Sequence, residues 1–102
     1  MVDIELRKHE KAAELPLSGR IDSITAPALE KSLLESAQLY DDMTLDFTKV
    51  AYISSAGLRT LMKLHKTMRG KGGRFAIKNV SKDVMDVFRV TGMNSLIDIQ
   101  CE

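Results

Sequence analysis

Residues 52–59 read Tyr52-Ile53-Ser54-Ser55-Ala56-Gly57-Leu58-Arg59, and at this point one periodicity gives way to another. Upstream, Met43, Leu45 and Phe47 alternate with polar residues, and Val50 to Ile53 forms a further short apolar stretch, as strands do. Downstream, Leu58, Leu61, Met62 and His65 recur at helical intervals until Gly70 or Gly72-Gly73 stops them. The segment therefore reads as a strand that turns into a helix across two adjacent hydroxyls.

The same alternation extends in both directions. Val2, Ile4 and Leu6 alternate with Asp3, Glu5 and Arg7 as a half-buried strand, and a charged turn follows around His9 to Lys11. Ala13, Leu15 and Leu17 resume the two-residue period, with Pro16 suited to an edge or an irregularity, and Ser18-Gly19 is expected to end the run. Thr25 is a candidate N-cap with Pro27 in the first helical turn, and Ala26, Leu29, Leu33 and Ala37 share one face that Leu34 widens. Asp41-Asp42 closes that helix. Phe75 and Ile77 predict a strand. Ser81 predicts the cap of a third helix with Val84, Val87 and Phe88 on its apolar face and Gly92 as its stop. Leu96, Ile97 and Ile99 predict a closing strand. Alternating strands and helices after a hairpin-like start predict an α/β fold with a partly parallel sheet, in one domain spanning residues 1–102.

Composition excludes several functions. The 102 residues are 44% hydrophobic and 28% charged with a formal net charge of +1, an ordinary globular balance without a bulk electrostatic attraction to nucleic acid or membrane. Aromatic residues are 5% with no Trp, which argues against base-stacking platforms. The single cysteine, Cys101, implies a reducing, cytosolic setting, and no apolar run approaches the roughly 18 residues of a membrane span.

Catalytic constellations are equally sparse. His9 and His65 have no metal-ligand spacing around them, so no metal or other cofactor is expected, and His65 reads as a packed histidine of the helix stripe. Asp3, Asp22, Asp46 and Asp98 fall in different elements, which leaves no carboxylate pair for acid–base work. The Gly-rich run Arg69-Gly70-Lys71-Gly72-Gly73 follows a helix and precedes a strand, the reverse of a phosphate-cradling loop. Lys63, Lys66, Arg69 and Lys71 read as cations offsetting the helix dipole. A nucleophilic serine would need an elbow that Tyr-Ile-Ser-Ser-Ala-Gly lacks, so no catalytic residue is assigned. Ser54 or Ser55 can cap the helix, and the same junction would expose a hydroxyl to modification next to free N–H groups.

The junction resembles the STAS family, the domain shared by sulfate transporters and anti-sigma-factor antagonists, whose central motif is usually D-S-[ST]-G-L-G after an aromatic or apolar pair. Ser55 falls on the family's phosphorylatable serine and Gly57-Leu58 on its Gly-Leu. Ser18-Gly19-Arg20-Ile21-Asp22 is similar to its G-E-[LI]-D turn, Thr25-Ala26-Pro27-Ala28-Leu29 to its helix start, and Leu45-Asp46-Phe47 with Val50 to the strand before the switch serine. Gly72-Gly73 and Phe88-Arg89-Val90-Thr91-Gly92-Met93 resemble its later motifs, so the likeness covers nearly the whole chain. It departs in Ser54 for Asp, Arg59 for the second Gly and Arg20 for a common Glu.

The resemblance implies a mixed β-sheet with helices packed mainly on one face. It implies a non-enzymatic, cytoplasmic antagonist that binds an anti-sigma factor/serine kinase until the switch serine is phosphorylated, with a serine phosphatase as second partner and no direct contact with nucleic acid or membrane. Ser55 is the implied acceptor with Ser54 its competitor, and Asp22, Ser54, Ser55, Ala56, Gly57 and Arg59 form the implied docking surface. The alternative is a STAS scaffold subunit of a larger signalling or transport assembly without a phospho-switch.

Overall fold

A computed structural model describes residues 12–101 in full, together with the strand backbone of Asp3–Ile4 and Arg7–His9. The expectations for Val2, Leu6 and Lys11 lie outside the described residues. Strands β1 (Asp3–Ile4) and β2 (Arg7–His9) both pair antiparallel with β3 (Ala12–Ile21), so His9, expected in a turn, belongs to a strand. β3 then pairs parallel with β4 (Asp42–Ile53), β4 with β5 (Arg74–Val80) and β5 with β6 (Asp98–Cys101), giving the order β1-β3-β4-β5-β6.

Helices α1 (Ala26–Leu39), α2 (Ser55–Gly70) and α3 (Lys82–Thr91) make the three crossovers between consecutive parallel strands. Every crossover steps to the next strand in the same direction, and right-handed connections then place all three helices on one face of the sheet. Buried residues agree. Leu15, Leu17, Met43, Leu45, Phe47 and Ile77 of the sheet join Leu29 and Leu33 of α1, Leu61 and Leu64 of α2, and Val84 and Phe88 of α3 in one core. Phe47 and Phe88 meet with ring centroids 6.1 Å apart and tilted by 41°. Residues between the buried ones face the other way: Glu14 and Lys78 form an ion pair there, and Asp46 accepts from Thr48 and Asn79. Desolvation works against the Asp46 charge, but those hydrogen bonds and nearby Lys78 hold its pKa below the usual carboxylate value.

Two sequence expectations about strands need correction. Ser18-Gly19 does not end β3; the strand continues to Ile21, with Gly19 at φ +102° taking an irregular position that a side chain would oppose. The stretches at 43–47 and 50–53 are one strand, because β4 carries two bulges. Opposite β3, Pro16 and Ser18 pair with Asp46 and Lys49, and Gly19 and Arg20 pair with Val50 and Tyr52. Each shift gives β4 one extra residue. Inward positions therefore fall at Phe47, Val50 and Ile53, three residues apart instead of two. Pro16 does stand beside the first irregularity.

Helix ends also differ in detail. Ser81 caps α3 by accepting from Val84 N at 3.3 Å, and Gly92 stops it at φ +76°, as the sequence predicts. Leu96 is exposed before β6 begins, and only Ile97 is buried there. Among the cations near the end of α2, Lys63 pairs with Glu30 of α1 at 3.3 Å. Lys71 donates to the carbonyls of Ala37 at 2.5 Å and Tyr40 at 3.1 Å and pairs with Asp41 at 3.3 Å. Lys71 thus complements the carboxyl end of α1, not the end of its own helix.

Candidate functional site

Parallel strands β3 and β4 finish at the same edge of the molecule, and the chain leaves each toward a helix N-terminus. The two exits are tied together, since Ser54 N donates to Ile21 O at 2.8 Å. This bond brings the turn at Asp22 against the Ser54-Ser55 junction, as the motif resemblance implies.

The two serines have different tasks. Ser54 is the N-cap of α2, with extended backbone (φ −96°, ψ 175°), and its Oγ accepts from Gly57 N at 3.4 Å. Ser55 is the first residue of the helix, and it is exposed. Helix geometry leaves the amides of Ser55 and Ala56 without an intrahelical acceptor, and no acidic residue occupies the first turn. Gly57 is buried, and a Cβ there would sit 2.6 Å from Ile21 Cγ2 and 2.7 Å from Ile53 Cγ1, so the missing side chain lets α2 start hard against both strands. Ala56 is half-buried, and Arg59 is exposed one turn into the helix.

The neighbouring turn is built by Asp22. Its Oδ1 accepts from Ile24 N at 2.9 Å and Thr25 N at 3.0 Å. The Thr25 amide, more than any other partner, holds the Asp22 pKa below its ordinary value against the opposing effect of desolvation, with help from Ile24, the Thr25 hydroxyl and Arg20. Thr25 stands at the N-cap of α1, but its hydroxyl does not cap the helix; it donates to Arg20 O at 2.9 Å and accepts from Asp22 N at 3.0 Å. The expected capping role thus falls to the Asp22 carboxylate, which reaches the Thr25 amide from outside the helix.

Two large side chains that the sequence did not single out complete this end. Ile24 rides on the turn at 86% exposure, and Tyr52, counted in the apolar run, is 41% exposed. The Arg20 guanidinium carbon lies 4.2 Å from the centroid of the Tyr52 ring, with Nε 3.9 Å from Asp22 Oδ2. Arg20 and Tyr52 are register partners across β3 and β4, a proximity invisible without knowing how those strands pair.

Chemistry elsewhere is thin. Among the described residues no group of three His, Cys, Asp or Glu is placed to hold a metal. His65 is half-buried, and Cys101 is exposed on β6. With Arg69 and Arg74, His65 lines a cleft of about 700 Å³ at the opposite, amino-terminal ends of β4 and β5. No helix among the described residues is long and apolar enough to cross a membrane.

A mixed sheet backed by three helices, with a capped serine junction after the second long strand, is the architecture of this chain, and the STAS domain family profile matches residues 3–101. The chain belongs to the STAS domain family. It is 26% identical over 101 residues to the anti-sigma-B factor antagonist of Bacillus subtilis (strain 168), covering 99% of this chain and 93% of that protein. Its fold matches an anti-sigma factor antagonist from Mycobacterium paratuberculosis with a TM-score of 0.88 at 23% identity, over 98% of this chain and 86% of that one. It also matches the Bacillus cell fate determinant SpoIIAA in the phosphorylated form, with a TM-score of 0.76 at 14% identity over 98% and 93% of the two chains.

Proposed function

We propose that this STAS domain is an anti-sigma-factor antagonist controlled by phosphorylation of Ser55. The unmodified chain binds an anti-sigma factor that is also a serine kinase, through the surface made by the Asp22 turn and the Ser54–Arg59 junction. Phosphate on Ser55 ends the binding, and a serine phosphatase restores it. The chain performs no catalysis of its own and works in the cytoplasm, without direct contact to nucleic acid or membrane.

The observation that carries this reading is the division of labour between the serines. Ser54 Oγ accepts from Gly57 N, whereas Ser55 is exposed at the first helical position. A kinase reaches Ser55 without dismantling the helix start. A phosphate there gains about −1.5 to −2 charges and three acceptor oxygens beside free amides and the positive end of the helix dipole. The modified helix therefore remains folded while its outer surface gains negative charge.

Mass spectrometry after incubation with the cognate kinase tests the assignment. One phosphate is expected on Ser55 and none in Ser55→Ala; phosphate confined to Ser54 would refute it. By calorimetry, Ser55→Asp is expected to weaken kinase binding more than tenfold, about 1.4 kcal/mol.

A further inference from the structure

We infer that the docking surface fits a partner face with acidic residues around an apolar socket: Ile24 enters the socket, and Arg20, held on Tyr52, meets the carboxylates. The inference rests on the antagonist reading above and specifies the kind of face that the anti-sigma factor presents.

The apolar anchor comes first. Ile24 is 86% exposed, yet its amide is fixed by Asp22 Oδ1 at 2.9 Å, and the next amide by the same oxygen at 3.0 Å. A large aliphatic side chain on a turn held this way loses little backbone freedom when it enters a pocket. Tyr52, also partly exposed, adds an aromatic surface of the kind enriched where partners bind tightly.

The charge of the surface is set by which groups point outward. Asp22 engages one carboxylate oxygen with the amides of Ile24 and Thr25, and its side chain is only 28% exposed. Arg20 remains 63% exposed while its guanidinium lies over the Tyr52 ring and its Nε stays 3.9 Å from Asp22. It is a preorganised cation, planar and able to meet a carboxylate with two parallel hydrogen bonds. Arg59 is exposed on the first turns of α2, where no acid precedes it. The junction and turn therefore present two exposed cations against one carboxylate that is less exposed and engaged by the turn amides. Acidic groups on a partner complement that pattern and accelerate its docking.

This charge pattern also supplies the regulatory sign. A Ser55 phosphate of about −1.5 to −2 charges cancels the two cations and offers Arg59, one turn along, an internal anion. The partner's carboxylates then face a neutral or negative surface.

Calorimetry with the purified anti-sigma factor/kinase tests the inference at low and high salt. Arg20→Glu is expected to weaken binding at least about tenfold at low salt and to flatten its salt dependence. Ile24→Ala is expected to weaken it similarly with the salt dependence retained. Lys66→Glu makes the same change in net charge about two turns beyond Arg59 on α2 and is expected to stay within about twofold. Equal losses for Arg20→Glu and Lys66→Glu would overturn the inference in favour of a general charge effect. If Ser55→Asp releases the partner while Arg20→Glu and Ile24→Ala bind like the wild type, the inference fails and the phospho-switch stands. A wild-type chain that binds no such kinase removes both.

Discussion

Gly57→Ala adds one methyl group at the point where α2 meets the sheet. The new carbon would lie 2.6 Å from Ile21 Cγ2, 2.7 Å from Ile53 Cγ1 and 3.3 Å from Ile53 Cδ1. The two shortest contacts are roughly 1 Å inside the 3.5–4.0 Å at which carbon atoms pack favourably. Neither isoleucine can swing aside freely, since Ile21 is 0% and Ile53 4% exposed, and Cγ2 is fixed directly to a branched Cβ. Relief requires α2 to back away from β3 and β4, stretching the Gly57–Ser54 cap that already spans 3.4 Å. Overpacking of this kind costs about 1–3 kcal/mol. Alanine's better helix propensity returns at most about 1 kcal/mol, and less in a first turn. The expected net loss is about 1–2 kcal/mol, or a fall in Tm of roughly 5–10 °C for a domain of this size. Thermal unfolding followed by far-ultraviolet circular dichroism measures it, with Gly70→Ala as the companion because a Cβ there meets nothing within 4 Å. A Gly57→Ala protein as stable as the wild type, or more so, would refute the reasoning that this glycine admits the helix.

Ser54→Ala should lower stability by about 1 kcal/mol through loss of the cap, while Ser55→Ala leaves it nearly unchanged; urea unfolding of both variants compares them. Lys71→Met should cost about 1 kcal/mol, reduced from the full value of a charged hydrogen bond by partial exposure, because the Ala37 and Tyr40 carbonyls lose their donor. Chemical denaturation measures that loss, and amide exchange should rise at the carboxyl end of α1. Asp22 and Asp46 both have folded pKa values below their unfolded ones, so their stabilisation is present above about pH 4 and is lost as pH falls through the depressed values. Acid titration of unfolding should show that decline, with a shallower slope in the Asp22→Asn/Asp46→Asn protein.

Much of this architecture was legible because helices and buried strand faces keep regular spacing. Ala26, Leu29, Leu33 and Ala37 are all buried on α1, and Leu61 is buried on α2 with Leu58 and Met62 packed against the core. The misreadings arose where the backbone departs from a simple period. Gly19 looked like a terminator and is an irregular position inside a strand, while the bulges of β4 disguised one strand as two. At the site, local capping logic located the junction but could not choose between Ser54 and Ser55, because either hydroxyl can serve as a cap. Ile24 and Tyr52 escaped notice for the opposite reason. Apolar character in a sequence argues for burial, and only the end of a folded sheet reveals which apolar side chains face outward.

The two bulges of β4 give the chain slack in length ahead of the junction. From Leu17 to Ile21, β3 advances four residues, while β4 takes six, from Phe47 to Ile53, to cover the same core. Each bulge absorbs one residue, so deleting Thr48 or Lys49 would remove the first bulge, return Phe47 and Val50 to the ordinary spacing of two, and leave Ile53 inward. Deleting Ala51 as well would remove the second bulge in the same way, with both serines still facing as they do now. The strand can therefore shorten by one residue or by two without reversing the junction, whereas in a strand without bulges a single deletion would turn it over.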